Sequence, residues 1–145
     1  MNEPELIREI LTHAHTLAVV GLTDREGRAS LGVSRWMQRQ GYRIVPINPK
    51  ISSVLGEVSY PSLEASKGLA LDLVLVFRAP EFVPAIAEET IRLGLRYLWL
   101  QEGVIHDEAA ALAEEAGVQV VMDRCIAKEF MAAGLKFAPT PRERL

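Results

Sequence analysis

The run Leu17-Ala-Val-Val-Gly21 limits what this chain can fold into more than any other stretch. Four apolar residues lead straight into a glycine. Small and charged residues follow, then a helical stretch that stops at Gly41. A second apolar run, Arg43-Ile-Val-Pro-Ile47, closes the unit. The order is strand, loop, helix, strand. A strand apolar on both faces belongs in a parallel sheet covered by helices. A glycine turn between strand and helix lets backbone approach a ligand, and the helix start offers unpaired N–H groups with a partial positive charge. The stretch therefore reads as a site for a phosphate-rich nucleotide.

The rest of the chain repeats the alternation. Pro4 to His15 has helical spacing in Leu6, Ile7, Ile10 and Leu11, and proline suits a first turn. Ser30 is expected to cap the next helix, with Val33, Trp36 and Met37 as its buried stripe. Val54 to Tyr60 holds a short edge strand, followed by a small helix capped by Ser62. Strands are expected at Leu71–Phe77, Arg96–Leu100 and Val118–Met122, and helices at Glu81–Leu93, Asp107–Ala116 and Ala127–Ala133, with Thr140 to Leu145 as a loose tail. The fold class is α/β: one domain over residues 1–145, core about 13–130 and tail 136–145, built as a Rossmann-like doubly wound parallel sheet of about five strands. In such sheets ligands bind outside the strands' carboxyl ends. Those ends are Gly21 to Arg28, Asn48 to Lys50, Arg78 to Pro80, Gln101 to Gly103 and Asp123 to Cys125.

Composition narrows the partners. With 49% hydrophobic and 24% charged residues and a net charge of −3, nothing draws the chain as a whole to nucleic acid or to an anionic membrane. The acidic start, Met-Asn-Glu-Pro-Glu, is unlike a secretory leader, and no apolar run approaches the roughly 18 residues of a membrane span. One cysteine, Cys125, rules out an intrachain disulfide. The expected location is cytoplasmic. His13 and His15, two apart, face different sides of a helix and make a poor metal pair, so no metal is expected.

Familiar nucleotide signatures are missing. Gly21 is followed by Leu22 and Thr23, not by G-x-G-x-x-G. The second strand ends in Ile47-Asn48-Pro49-Lys50, where a dinucleotide site places an acid for the ribose. There is no Gly-Lys-Ser/Thr phosphate loop. Arg25, Arg28, Lys50 and Arg78 instead fall together at strand ends of an acidic chain. Each alone has the profile of a solvated surface charge, whereas four together favour a ligand with extra phosphate.

These motifs carry a resemblance. Val-Val-Gly21-Leu-Thr, Gly41-Tyr-Arg-Ile-Val-Pro-Ile-Asn-Pro49, Leu75-Val-Phe-Arg-Ala-Pro80, Leu98-Trp-Leu-Gln-Glu-Gly-Val104 and Val120-Val-Met-Asp-Arg-Cys125 follow in order over about His13 to Phe130. The chain resembles the small stand-alone CoA-binding proteins, which are similar to the CoA-binding domain of the succinyl-CoA synthetase alpha subunit. The resemblance implies coenzyme A as the ligand. The loop Thr23, Asp24, Arg25 and Glu26 would receive its phosphates, and Gly21, Leu22 and Arg28 are counted with the cofactor-binding positions beside it. Lys50 would approach the phosphorylated nucleotide end, with Asn48 and Pro49 before it also counted as cofactor-binding positions. Phe77, Arg78 and Pro80 would wall the adenine or pantetheine, and Leu100, Gln101 and Glu102 would contact the extended arm. Asp24-Arg-Glu26 departs from the glycine-rich loop of the ligases and sets two acids beside the phosphates.

No catalytic constellation is expected. His106 reads as a helix-entry residue, and Asp123 with Glu102 as caps of loops. Cys125, counted last among the cofactor-binding positions, stands at the ligand edge beside Arg124 as a candidate for a mixed disulfide with the CoA thiol, with a buried structural cysteine as the favoured reading. The function read from the sequence is a non-catalytic binding protein for CoA or an acyl-CoA. The rivals are an NAD(P)-dependent or acyl-transfer enzyme and an interaction domain with a vestigial nucleotide pocket. Trp36, Trp99 and Phe82 are candidates for a homodimer or partner face, with core the favoured reading.

Overall fold

The computed structural model describes residues 1–135, so the tail read at 136–145 lies outside the described residues. Five helices and seven strands follow in chain order: α1 (Pro4–His13), β1 (Thr16–Val20), α2 (Ala29–Arg39), β2 (Arg43–Ile47), β3 (Ser53–Val54), β4 (Glu57–Val58), β5 (Leu73–Val76), α3 (Val83–Arg92), β6 (Tyr97–Leu100), α4 (Asp107–Glu115), β7 (Gln119–Met122) and α5 (Ile126–Ala132). Two 3-10 turns, Glu64–Leu69 and Pro80–Phe82, precede β5 and α3. The five long strands form one parallel sheet in the order β2-β1-β5-β6-β7. The chain thus leaves β1 in one direction to make β2 and returns past it to make β5. That reversal opens a crevice at the carboxyl ends of β1 and β5.

Strand residues are apolar on both faces because helices cover both. Leu17, Val19, Leu73, Leu75, Tyr97, Trp99 and Val121 pack with α1, α2 and α5. Their neighbours Ala18, Val20, Val74, Val76, Leu98, Leu100 and Val120 pack with α3 and α4. The period-two pleat sets this split. Trp99 is fully buried, and its indole N–H donates to the Arg124 carbonyl at 2.8 Å. Trp36 lies edge-on to Phe130 with centroids 5.5 Å apart. Both tryptophans therefore belong to the core side of the fold, and Phe82 alone of the three aromatics stands exposed.

Several boundaries move inward from the sequence reading. α1 stops at His13, and His15 is buried at the entrance to β1. There the Asp72 carboxylate accepts the N–H groups of His15 at 2.9 Å and Thr16 at 2.8 Å. A carboxylate that takes over two backbone donors fixes the strand's start. The edge strand expected over Val54–Tyr60 is a two-residue-per-strand hairpin, β3 with β4, tied to the sheet by an Ile47–Tyr60 bridge. The Ser62 hydroxyl does accept an N–H of the following turn, that of Ala65, at 3.1 Å.

Tyr42 closes one end of the core. Its hydroxyl donates to the Leu11 carbonyl, and burial pushes its pKa above the ordinary 10.0. A phenol whose folded pKa is raised stabilises the fold fully below pH about 10 and loses that contribution as pH climbs toward the folded value. Urea midpoints should therefore fall between pH 7 and pH 11. Tyr42→Phe should lower the midpoint at pH 7 by the equivalent of about 1 kcal/mol and flatten the alkaline decline. An unchanged alkaline slope in the variant would assign that decline to other groups.

Candidate functional site

The crevice at the switch point contains a cavity of about 490 Å³ lined by Gly21, Thr23, Arg25, Arg28, Ala29, Ser30, Ile47, Asn48, Pro49, Lys50, Phe77 and Arg78. Three strand ends build it: the β1–α2 loop, the residues after β2 and those after β5. Gly21 is its pivot. Its N–H donates to the Ile47 carbonyl at 3.0 Å, while the Phe77 N–H donates to Val20 at 2.9 Å. At φ +91° it turns the chain out of the sheet. A Cβ there would lie 2.6 Å from the Phe77 carbonyl oxygen and 2.9 Å from Arg78 Cδ. Only glycine lets the loop pass this close to the end of β5.

Two side chains brace the loop. Ser30 is not the helix cap. It lies inside α2, buried, and its hydroxyl accepts the Thr23 N–H at 3.2 Å, while the cap position falls to Arg28. A hydroxyl beside a helix start serves either purpose, and here the turn-back of the loop selects the brace. Asn48 spans the cleft floor: its Nδ2 donates to the Leu22 carbonyl at 2.9 Å, and its Oδ1 accepts the Lys50 N–H at 2.9 Å. One carboxamide thus fixes the β1 loop and the Lys50 turn together.

The charges sort by position. Arg25, Arg28, Lys50 and Arg78 all line the cavity, and within the described residues none of them makes an ion pair. α2 points its start at them with no side-chain cap and no acid in its first turn. The two loop acids do not line this cavity. Glu26 is bound by Arg35 of α2 at 2.7 Å, and the hydrogen bond to that guanidinium holds the carboxyl below the usual carboxylate range. Asp24 is exposed. The cavity wall is therefore cationic although the chain is acidic.

Other residues read as site candidates sit elsewhere. Leu22 and Leu100 are fully buried, and Pro80 is exposed at the head of its 3-10 turn. Gln101 is buried and accepts the Ile126 N–H at 3.2 Å, capping α5. Glu102 pairs with Lys128 at 3.1 Å. Cys125 is 7% exposed and packs in the core with Trp99 and Phe130; it is placed in the interior, not on the cavity wall. Asp123 accepts the Gly103 N–H at 2.8 Å, and His106 Nδ1 caps α4 by accepting from Ala109 at 3.1 Å. Among the described residues no group of three or more His, Cys, Asp or Glu side chains is placed to hold a metal ion, and no helix is long and apolar enough to cross a membrane.

A five-stranded parallel α/β domain with a cationic cleft at its switch point defines a Rossmann-like protein. Residues 15–131 match the CoA binding domain family, and the chain belongs to that family. It is 42% identical over 120 residues to the uncharacterized protein YneT of Bacillus subtilis (strain 168), covering 83% of this chain and 88% of that one. It is also similar to two solved structures. A hypothetical protein from Pyrococcus horikoshii OT3 superposes with a TM-score of 0.82 at 32% identity, over 90% of this chain and 92% of the other. The cell-free ID.343 protein from Thermus thermophilus superposes with a TM-score of 0.80 at 32% identity, over 90% and 98%.

Proposed function

We propose that the protein binds coenzyme A or an acyl-coenzyme A in this cleft and does not itself catalyse a reaction. The observation that carries the reading is the convergence of Arg25, Arg28, Lys50 and Arg78 on one cavity, free of ion pairs among the described residues, at the uncapped start of α2. Coenzyme A carries about four negative charges at neutral pH, from a pyrophosphate and a phosphomonoester, and charge-assisted bonds to phosphate are the strong kind. The cavity volume lies within the roughly 300–1,000 Å³ usual for ligand sites.

In this reading the loop from Thr23 carries the pyrophosphate with the first-turn N–H groups of α2, and Lys50 meets the phosphomonoester. Membership of the CoA binding domain family supports the choice of ligand. So does Asn48-Pro49-Lys50, which stands where an NAD site has an acid. The absence of catalysis rests on the employment of the candidate groups. His106 is a cap, Glu102 is paired, Asp123 holds a turn, and Cys125 is buried in the core.

Equilibrium dialysis against acetyl-coenzyme A, followed by chromatography of the recovered ligand, tests both halves. The reading expects retention of the thioester, no displacement by ATP, and recovery of the ligand chemically intact. Hydrolysis, or transfer of the acetyl group to the protein, would refute the non-catalytic half. Failure to retain both acetyl-coenzyme A and free coenzyme A, dialysed in parallel, would refute the first.

A further inference from the structure

Arg78 leaves the end of β5 with its stem across Gly21, Cδ lying 2.9 Å from where a Cβ would sit. Its guanidinium carbon lies over the ring of Phe82, 3.9 Å from the centroid. Phe82 is 41% exposed, one of few large apolar side chains in water among the described residues. Phe82 ends the Pro80–Phe82 turn, its N–H donating to Ala79 at 3.0 Å, and the turn runs directly into α3, so the ring sits on a rigid element. Phe82 does not line the cavity, whereas Arg78 does. The ring thus backs the cation from outside the cleft.

We propose that the Arg78 guanidinium, carried on the Phe82 ring, is the platform on which the adenine of the bound nucleotide stacks, and that Phe82 is the positioning residue for that platform. The inference rests on the coenzyme A reading of the cleft, in which the residues after β5 wall the ligand, and adds to it the stacking face and the residue that positions it. A guanidinium is planar and weakly hydrated, and it stacks on π-faces where an ammonium offers only a point charge. With one face of the cation covered by Phe82, a flat purine entering the cleft meets the other. This accounts for an aromatic side chain held in solvent beside a cation that no described carboxylate pairs.

Calorimetric titration of the wild type, Phe82→Ala, Phe82→Trp and Arg78→Lys with coenzyme A and with adenosine 3′,5′-bisphosphate, at two salt concentrations, tests the proposal. Phe82→Ala and Arg78→Lys should each weaken both ligands by the same factor, about three- to tenfold. The salt dependence should stay unchanged, because neither variant removes a charge. Phe82→Trp should bind as the wild type does. Wild-type affinity in Arg78→Lys would make Arg78 a plain charge and overturn the proposal. Unaltered binding in Phe82→Ala, no recovery in Phe82→Trp, or a loss confined to coenzyme A would each overturn it too. If the wild type itself binds no coenzyme A, the reading of the cleft falls with it. If the wild type binds and Phe82→Ala is silent, only the platform falls.

Discussion

Gly21→Ala is expected to unfold at distinctly lower urea concentration than the wild type, with a loss of roughly 2–5 kcal/mol. Two costs add. A residue with a side chain at φ +91° sits in the left-handed region, and its Cβ would overlap the Phe77 carbonyl at 2.6 Å. Neither partner can retreat cheaply. Gly21 is bonded to Ile47 on one side, and Val20 is bonded to Phe77 on the other, which locks the turn between β2 and β5. Gly27 supplies the control. It has nearly the same φ, +88°, but nothing lies within 4 Å of its missing Cβ. Gly27→Ala should therefore pay the conformational cost alone, about 1 kcal/mol. Urea melts of the two variants side by side separate close approach from backbone preference. Equal losses would show that the β5 end yields freely and that the cleft does not depend on contact at Gly21.

The second large effect is on binding. Arg25→Ala combined with Lys50→Ala should lower affinity for coenzyme A by about thirty- to a hundredfold, or roughly 2–3 kcal/mol, since both groups are exposed and the full value of a charged hydrogen bond is reduced by screening. The affinity that remains should fall less steeply with added salt than the wild type's. Stability should move by less than about 0.5 kcal/mol, because neither side chain makes an ion pair among the described residues. Unchanged affinity in the double variant would make the basic cluster surface decoration and would remove the observation on which the proposed function stands.

The fold was legible because each strand declares itself twice. Leu17–Val20 and Leu73–Val76 are apolar at every position, which a sheet covered on both faces requires, and glycines such as Gly41 mark the helix ends. The location of the cleft was legible for the same reason: once the alternation is seen, the strand ends are known. Pairing was not legible. Nothing in the local spacing says that Glu26 turns to Arg35, nine residues on, or that Gln101 and Glu102 are engaged by α5. Helical periodicity places a residue on a face without naming what it meets. Ser30 misled because a hydroxyl at a helix start has two uses, and only the return of the Thr23 backbone decides between them. Phe82 as the support of Arg78 was out of reach for a related reason. The two residues are four apart across a 3-10 turn whose geometry the apolar pattern does not encode.

The measurement that bears most directly on the central claim is calorimetric titration of the protein with coenzyme A, dephospho-coenzyme A and NADP under one set of conditions. The account predicts saturable micromolar binding of coenzyme A, about −8 kcal/mol, clear loss of affinity when the 3′-phosphate is removed, and no comparable binding of NADP. Tight NADP binding with none for coenzyme A, or no heat with any of the three, would contradict it.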